Sequence, residues 1–185
     1  MKNEIVRLGV ILLIITAIAA TLLGFVNQVT SPVIDAQIIE ANNLARKSIL
    51  TQADSFELIN DDFGEGVEEV YKALKGSEIV GYTIKTKPKG YGGAIEVTTG
   101  ITVEGTISGV SIGTMNETPG LGAKAKDESF ISQYADKLVN DNITVIKNGE
   151  PEDNEIIAIS GATITSLAVT SGINKSIEVY KNNLQ

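Results

Sequence analysis

The first strong pattern along the chain is an absence of charge. No charged residue stands between Arg7 and Asp35, and Leu8 to Val26 is a strongly apolar run of 19 residues. A helix needs ~20 such residues to cross a bilayer, so this run predicts a membrane helix. A cleaved signal peptide competes with it, with Ala17-Ile18-Ala19 as a small-x-small site. The run continues past that site through Thr21 to Val26, whereas signal cores span ~7–15 residues, so an uncleaved anchor is expected. Lys2 and Arg7 precede the span, while Asp35 and Glu40 follow it. The positive-inside bias therefore predicts a cytoplasmic N-terminus and an outer domain.

Beyond Ser31-Pro32 the pattern becomes helical. Ile34, Ile38, Ala41, Ala45 and Ile49 share one face of a stalk helix over Val33–Leu50 that continues or abuts the membrane helix. Residues 54–66, with Asp61, Asp62, Gly64 and Gly66, read as loop. Four short β-type runs follow: Val67–Leu74, Ile79–Thr86, Ala94–Ile101 and Thr106–Thr114. Turn residues separate them at Lys75-Gly76-Ser77, Gly90-Tyr91-Gly92-Gly93 and Glu104-Gly105. Spacing this tight predicts antiparallel hairpins rather than βαβ units. Asp127–Val139 reads as an amphipathic helix with Phe130, Ile131, Tyr134 and Leu138 inward. Ile143–Ile146 reads as a strand, Asn148-Gly149 as a turn, and Ile156–Ile159 as another strand. A last helix carries Ile164, Leu167, Ala168, Ile173, Ile177, Tyr180 and Leu184 as its apolar positions. The expected fold class is α+β: an N-terminal transmembrane helix, then an antiparallel-sheet domain with flanking helices. The expected division is 1–34 for the N-terminus and span, 35–66 for stalk and loop, and 67–185 for the domain.

Charge and composition narrow the chemistry. The chain of 185 residues carries a net charge of −8, and Lys2 and Arg7 against Glu4 leave −9 for the part beyond residue 34. No basic cluster follows a phosphate backbone, which argues against nucleic-acid binding. With no cysteine, the chain has no disulfide, thiolate metal site or iron–sulfur ligand of its own. With no histidine, it lacks Ser-His-Asp catalysis and the commonest zinc and haem ligands. Redox chemistry here would require an organic cofactor.

The candidate chemistry lies in Ser160-Gly161-Ala162-Thr163-Ile164-Thr165-Ser166, between a predicted strand and a predicted helix. Unpaired N–H groups and a partial positive charge at a helix start suit a phosphate. Ser160 and Thr163 as simple helix caps are the local alternative.

Ser160-Gly161-Ala162-Thr163-Ile164-Thr165 resembles the S-G-A-T-x-T signature of bacterial flavoproteins that carry FMN on threonine through a phosphoester. That family comprises the G subunit of the Rnf electron-transport complex and the C subunit of the sodium-pumping NADH:quinone oxidoreductase. Glu117-Thr118-Pro119-Gly120-Leu121-Gly122 is similar to the family's E-T-P-G-L-G loop. Many relatives have His-Lys before that loop, where this chain has Met115-Asn116. The resemblance covers essentially the whole chain. It implies covalent FMN on Thr165, installed by a separate magnesium-dependent flavin transferase, with Thr165 as acceptor rather than catalyst.

Other flavin contacts are expected from the glycine-dense segments. Glycine lets backbone approach a flat ring closely, which places Gly120 and its neighbours against the flavin. Gly90-Tyr91-Gly92-Gly93 reads either as a second such loop or as a hairpin turn. Tyr91 either stacks on the ring or simply packs. Lys124 and Lys126 either help to neutralise the phosphate or remain solvated. Compactness points to the Rnf-type G subunit. The resemblance then implies an electron-relaying subunit of an ion-translocating ferredoxin:NAD+ oxidoreductase in the cell (inner) membrane, without catalysis of its own. Its partners would be the other membrane and iron–sulfur subunits, the flavin transferase and the lipid bilayer. A C-type subunit of a quinone reductase and a stand-alone membrane-tethered flavin domain are the alternatives.

Overall fold

One helix, α1 (Lys2–Ile49), contains both the predicted span and the predicted stalk in the computed structural model, which describes residues 2–185. Met1 and the side chains of Lys2, Asn3 and Asp35 lie outside the described residues, and with them two of the charges used to predict topology. The chain forms two compact units, residues 1–42 and 43–185.

The first unit is the helix itself, long and apolar enough to cross a membrane. It runs through Pro32 without a break, although proline has no N–H to donate to the preceding turn. Its hydroxyls are satisfied inside the helix: Thr16 Oγ1 donates to the Leu12 carbonyl at 3.0 Å, Thr21 to Ala17 at 2.8 Å and Thr30 to Val26 at 2.9 Å. Lipid offers no partner to a stray polar group, so such bonds suit a span.

The second unit begins with the last turns of α1 and is built on a five-stranded antiparallel meander. Its strands are β1 (Ser55–Leu58), β2 (Val67–Lys75), β3 (Glu78–Thr86), β4 (Val97–Thr102) and β5 (Ile107–Ile112), in that order. β1 occupies part of the stretch read as loop. Its four residues carry only a weak alternation of their own, and pairing with β2 from Ser55↔Leu74 to Leu58↔Tyr71 makes them a strand. A separate pair, β6 (Thr144–Ile146) and β7 (Glu155–Ile157), is parallel.

The sheet buries both faces. On one side lies α3 (Thr163–Val179), whose Val169, Ile173 and Ile177 join Val70, Ile84, Val97 and Ile101 in the main core. Tyr180 ends this contact edge-on to Tyr82 and donates its hydroxyl to the Val103 carbonyl at 3.0 Å. Ile164 and Leu167 were expected on the same apolar face, yet they are exposed. The 3.6-residue period that turns Val169, Ile173 and Ile177 inward turns those two outward. On the other face, Leu50 and Ala53 form a smaller core with Ala73. Ile49 lies directly over Gly100, where a Cβ would overlap its methyl.

The predicted helix over Asp127–Val139 is mostly absent. A 3-10 turn (Gly122–Lys126) leads into α2 (Glu128–Ile131) and a second 3-10 turn (Ser132–Tyr134), and the chain then leaves helical geometry at Ala135, which is extended with ψ 145°, before Asp136 with φ 63°. Residues 136–139 bond the sheet instead: Ile107 N–H donates to the Lys137 carbonyl at 2.9 Å, and Val139 N–H to Gly105 at 3.0 Å. Leu138 is therefore exposed rather than inward, while Phe130 and Tyr134 are buried. The Tyr134 hydroxyl bonds Thr170 Oγ1 at 2.8 Å, fixing this segment against α3.

Arg46 joins α1 to the sheet. Its guanidinium lies 3.6 Å from the centre of the Tyr71 ring, pairs with Glu69 at 2.6 Å and donates to Asn43 Oδ1 at 2.7 Å. Arg46→Ala should destabilise the domain by about 1–3 kcal/mol, because a cation–π contact is lost and Glu69 loses its cation. Thermal unfolding of the full chain in detergent measures this, and Arg46→Lys should restore only part of it.

Candidate functional site

α3 starts without a side-chain cap. Ala162 occupies the cap position at φ −135° and ψ 44°, and no side chain accepts a hydrogen bond there. Neither Ser160, which is exposed, nor Thr163 caps the helix, so the first-turn N–H groups stay available to an anion. Gly161, at φ 77°, turns the chain from β7 into the helix, a conformation that costs glycine little. Ser166 then ties strand to helix. The Ile159 N–H donates to Ser166 Oγ at 2.9 Å, and that hydroxyl donates to the Ala162 carbonyl at 3.0 Å. Its hydroxyl type was visible in the sequence, but nothing there announced this role.

Thr165 points into the domain and is 1% exposed. Its Oγ1 donates to Glu117 Oε2 at 2.7 Å, joining residues 48 apart in sequence. The other carboxylate oxygen, Oε1, accepts the Gly92 N–H at 3.0 Å. Glu117 itself is 8% exposed. One carboxylate thus joins the Gly90–Gly93 turn, the Glu117–Gly122 loop and α3. A hydrogen bond to a charged group contributes about 1.5–3 kcal/mol. That exceeds the ~1 kcal/mol that a side-chain cap would add at the helix start.

Glycine is what makes this contact possible. A Cβ at Gly122 would lie 2.6 Å from Thr165 Oγ1 and would overlap Glu117 Oε2. A Cβ at Gly90 would overlap Glu117 Oε1, and one at Gly92 would overlap the Asn116 carbonyl. Gly120, expected to approach the flavin ring, has no protein atom within 4 Å of a Cβ position, and its φ of 78° is what calls for glycine. The tight contact within the protein is at Gly122.

A cavity of about 580 Å³ opens over this cluster. Tyr91, Glu117, Thr118, Leu121 and Gly122 line one side, and the Gly161–Thr165 turn lines the other. Of the residues singled out in the sequence, Ser160, Pro119 and Gly120 fall outside the lining. The two motifs therefore meet across one pocket. Tyr91, Leu121 and Ile164 are exposed at it and offer apolar surface. The volume lies within the ~300–1,000 Å³ typical of cofactor sites. An uncapped helix start for a phosphate beside apolar walls for a flat ring fits a flavin mononucleotide.

The comparisons agree with that geometry. Residues 90–178 match the FMN-binding domain family, and residues 1–49 match the RnfG N-terminal region. The chain is 43% identical, over 95% of its length and 91% of the relative's, to the G subunit of the Na+-translocating ferredoxin:NAD+ oxidoreductase complex of Acetobacterium woodii. It is 37% identical, over 96% and 92%, to the G subunit of the proton-translocating ferredoxin:NAD+ oxidoreductase complex of Clostridium ljungdahlii. Among solved structures, the C subunit of the Na+-translocating NADH-quinone reductase from Parabacteroides distasonis shares the fold. Its TM-score is 0.56 at 23% identity, covering 70% of this chain and 76% of that one. Fold and pocket thus define an FMN-binding domain behind an apolar helix. The chain belongs to the family of G subunits of Rnf-type ion-translocating oxidoreductase complexes.

Gly122→Ala should wedge a methyl group between Glu117 and Thr165. Overpacking costs about 1–3 kcal/mol, so strain borne by the site should weaken flavin binding by about 5- to 150-fold and lower the flavin retained. Flavin absorbance per mole of purified chain measures the loss. Gly120→Ala meets no neighbour and strains only its own backbone at φ 78°, so it should leave the Glu117–Thr165 contact in place.

Proposed function

We propose that the chain is the membrane-anchored flavin subunit of a redox-driven, ion-translocating ferredoxin:NAD+ oxidoreductase, and that it carries FMN as a phosphoester on Thr165. The observation that carries this reading is the placement of the Thr165 hydroxyl in the wall of a flavin-sized pocket, beside a helix N-terminus with no side-chain cap. Bound FMN supplies the electron-transfer chemistry, and the protein supplies its position and electrostatic surroundings. The first-turn N–H groups of α3 would hold the phosphate. Tyr91, Leu121 and Ile164 would flank the ring. The Glu117–Gly122 loop, including Thr118 and Pro119, would shape the pocket's other side.

The relatives named as G subunits of ferredoxin:NAD+ oxidoreductase complexes support assembly with the other membrane and iron–sulfur subunits of such a complex. A separate flavin transferase would install the cofactor. The apolar helix would cross the cell membrane once, with its N-terminus in the cytoplasm and the domain outside, following the positive-inside bias.

Two measurements test this. Thr165→Ala should abolish covalent flavin in chain co-expressed with the transferase, read by in-gel fluorescence and intact mass, while Thr163→Ala should retain it. Flavin still attached to the Thr165→Ala protein would move the site elsewhere. For topology, protease applied to cells with a permeabilised outer layer should digest the chain beyond about residue 35, where the ~20-residue span has ended. A protected domain, or a mature N-terminus near Ala20, would reverse the assignment.

A further inference from the structure

A threonine hydroxyl is a poor nucleophile unless a base takes its proton, and this chain contains no histidine. The structure nevertheless places a buried carboxylate on that proton. Thr165 Oγ1 donates to Glu117 Oε2 at 2.7 Å, and both residues line the same cavity. The Gly92 N–H holds the opposite oxygen at 3.0 Å, which fixes the direction in which Oε2 points. Gly122 and Gly90 leave the carboxylate its space from two sides.

The surroundings leave Glu117 free to act. Among the described residues no lysine or arginine forms an ion pair with it. The charged groups on the elements packed against it are Lys89 beside the glycine turn and Lys124 and Lys126 on the following 3-10 turn, and none of the three is buried. The α3 turn facing it, Thr163 to Ser166, has no titratable side chain, and Tyr91 is the other titratable group in the lining. A buried carboxylate kept only for structure would be expected to meet a cation or more donors than these.

We propose that Glu117 is the proton acceptor that activates Thr165 when the flavin phosphoester forms. The inference rests on the covalent attachment proposed above. Esterification of free FMN would have to expel water, so the donor is a flavin nucleotide activated as a phosphoanhydride, in chemical terms flavin adenine dinucleotide. Thr165 Oγ1 forms the new bond to the flavin-side phosphorus. The pyrophosphate P–O bond breaks, and its electron pair leaves on AMP. The Oγ1 proton passes to Glu117 Oε2. The ester oxygen then has no proton to donate, so the 2.7 Å bond belongs only to the unmodified chain. A carboxyl that has just taken the proton also avoids placing a second negative charge against the new phosphodiester.

The test uses the full chain in detergent with flavin adenine dinucleotide, Mg²⁺ and a flavin transferase, and follows covalent labelling by intact mass over time. General-base removal typically costs about 10²- to 10⁴-fold, so Glu117→Gln should label at least about 100-fold more slowly. The ratio of wild-type to Glu117→Gln rates cancels the transferase's own titration. It should shrink toward acid pH, where a carboxyl group already carrying a proton cannot take another. Glu117→Asp, with its carboxylate drawn back, should label at an intermediate rate and keep the pH dependence.

Labelling of Glu117→Gln at the wild-type rate would overturn the proposal. So would a slowing by one constant factor at every pH, which is what a positioning role predicts. If Glu117→Gln does not fold, Glu117→Asp decides: a wild-type rate overturns the proposal and a slower, pH-dependent one supports it. Wild-type chain that takes no covalent flavin would remove the attachment itself, and the inference with it.

Discussion

A carboxylate buried under a hydroxyl must be held from more than one side, and the flavin end of this domain is organised around that requirement. Glu117 takes the Thr165 hydroxyl on one oxygen and the Gly92 N–H on the other. Three segments distant in sequence converge on it: two contribute glycines where a Cβ would collide, and the first turn of α3 contributes the Thr165 hydroxyl. Low local dielectric makes such a cluster sensitive to its geometry, since a lost partner leaves a buried charge uncompensated. The placement of Thr165 follows from this arrangement, and the cavity opens over it.

The sheet serves that arrangement by being covered on both faces. α3 needs a firm bed if its first turn is to stay fixed, and the main core of Val169, Ile173 and Ile177 against β2, β3 and β4 provides it. Gly172 lets α3 come down onto β3, where a Cβ would lie 2.7 Å from Thr86 Oγ1. The end of α1 and the bend after it close the opposite face through Arg46, Ile49 and Leu50. Residues 43–49 therefore pack as part of the domain even though they continue a helix that starts in the apolar run.

The flavin reading draws on separate kinds of observation. Pocket size, an uncapped helix start and apolar walls are geometric. The match of residues 90–178 to an FMN-binding domain is a statement of kinship, as is 43% identity to an Rnf-type relative along nearly the whole chain. The two converge on the same residues. A solved relative at 23% identity adds the fold alone, which here is the same α+β arrangement.

Much of this was legible in the sequence because it depends on local pattern. An uncharged run of membrane length, tightly spaced β-type runs with turn residues between them, and the S-G-A-T-x-T string are visible without contacts. β1, the fate of residues 127–139 and the parallel pairing of β6 with β7 were not legible. In each case bonds to a distant segment outweighed a weak local preference. The register of α3 shows the same limit: period alone could not say that Val169 faces the sheet while Ile164 and Leu167 face out. The site divides in the same way. Sequence identified Thr165 and Glu117 as members of two motifs, and only the tertiary structure placed them 2.7 Å apart. It also set the tight contact of Gly122 with Glu117 and Thr165, and left α3 uncapped where Ser160 and Thr163 offered caps. Those outcomes are distances between segments dozens of residues apart, set by how the sheet and its covering helices pack, and no local pattern encodes them.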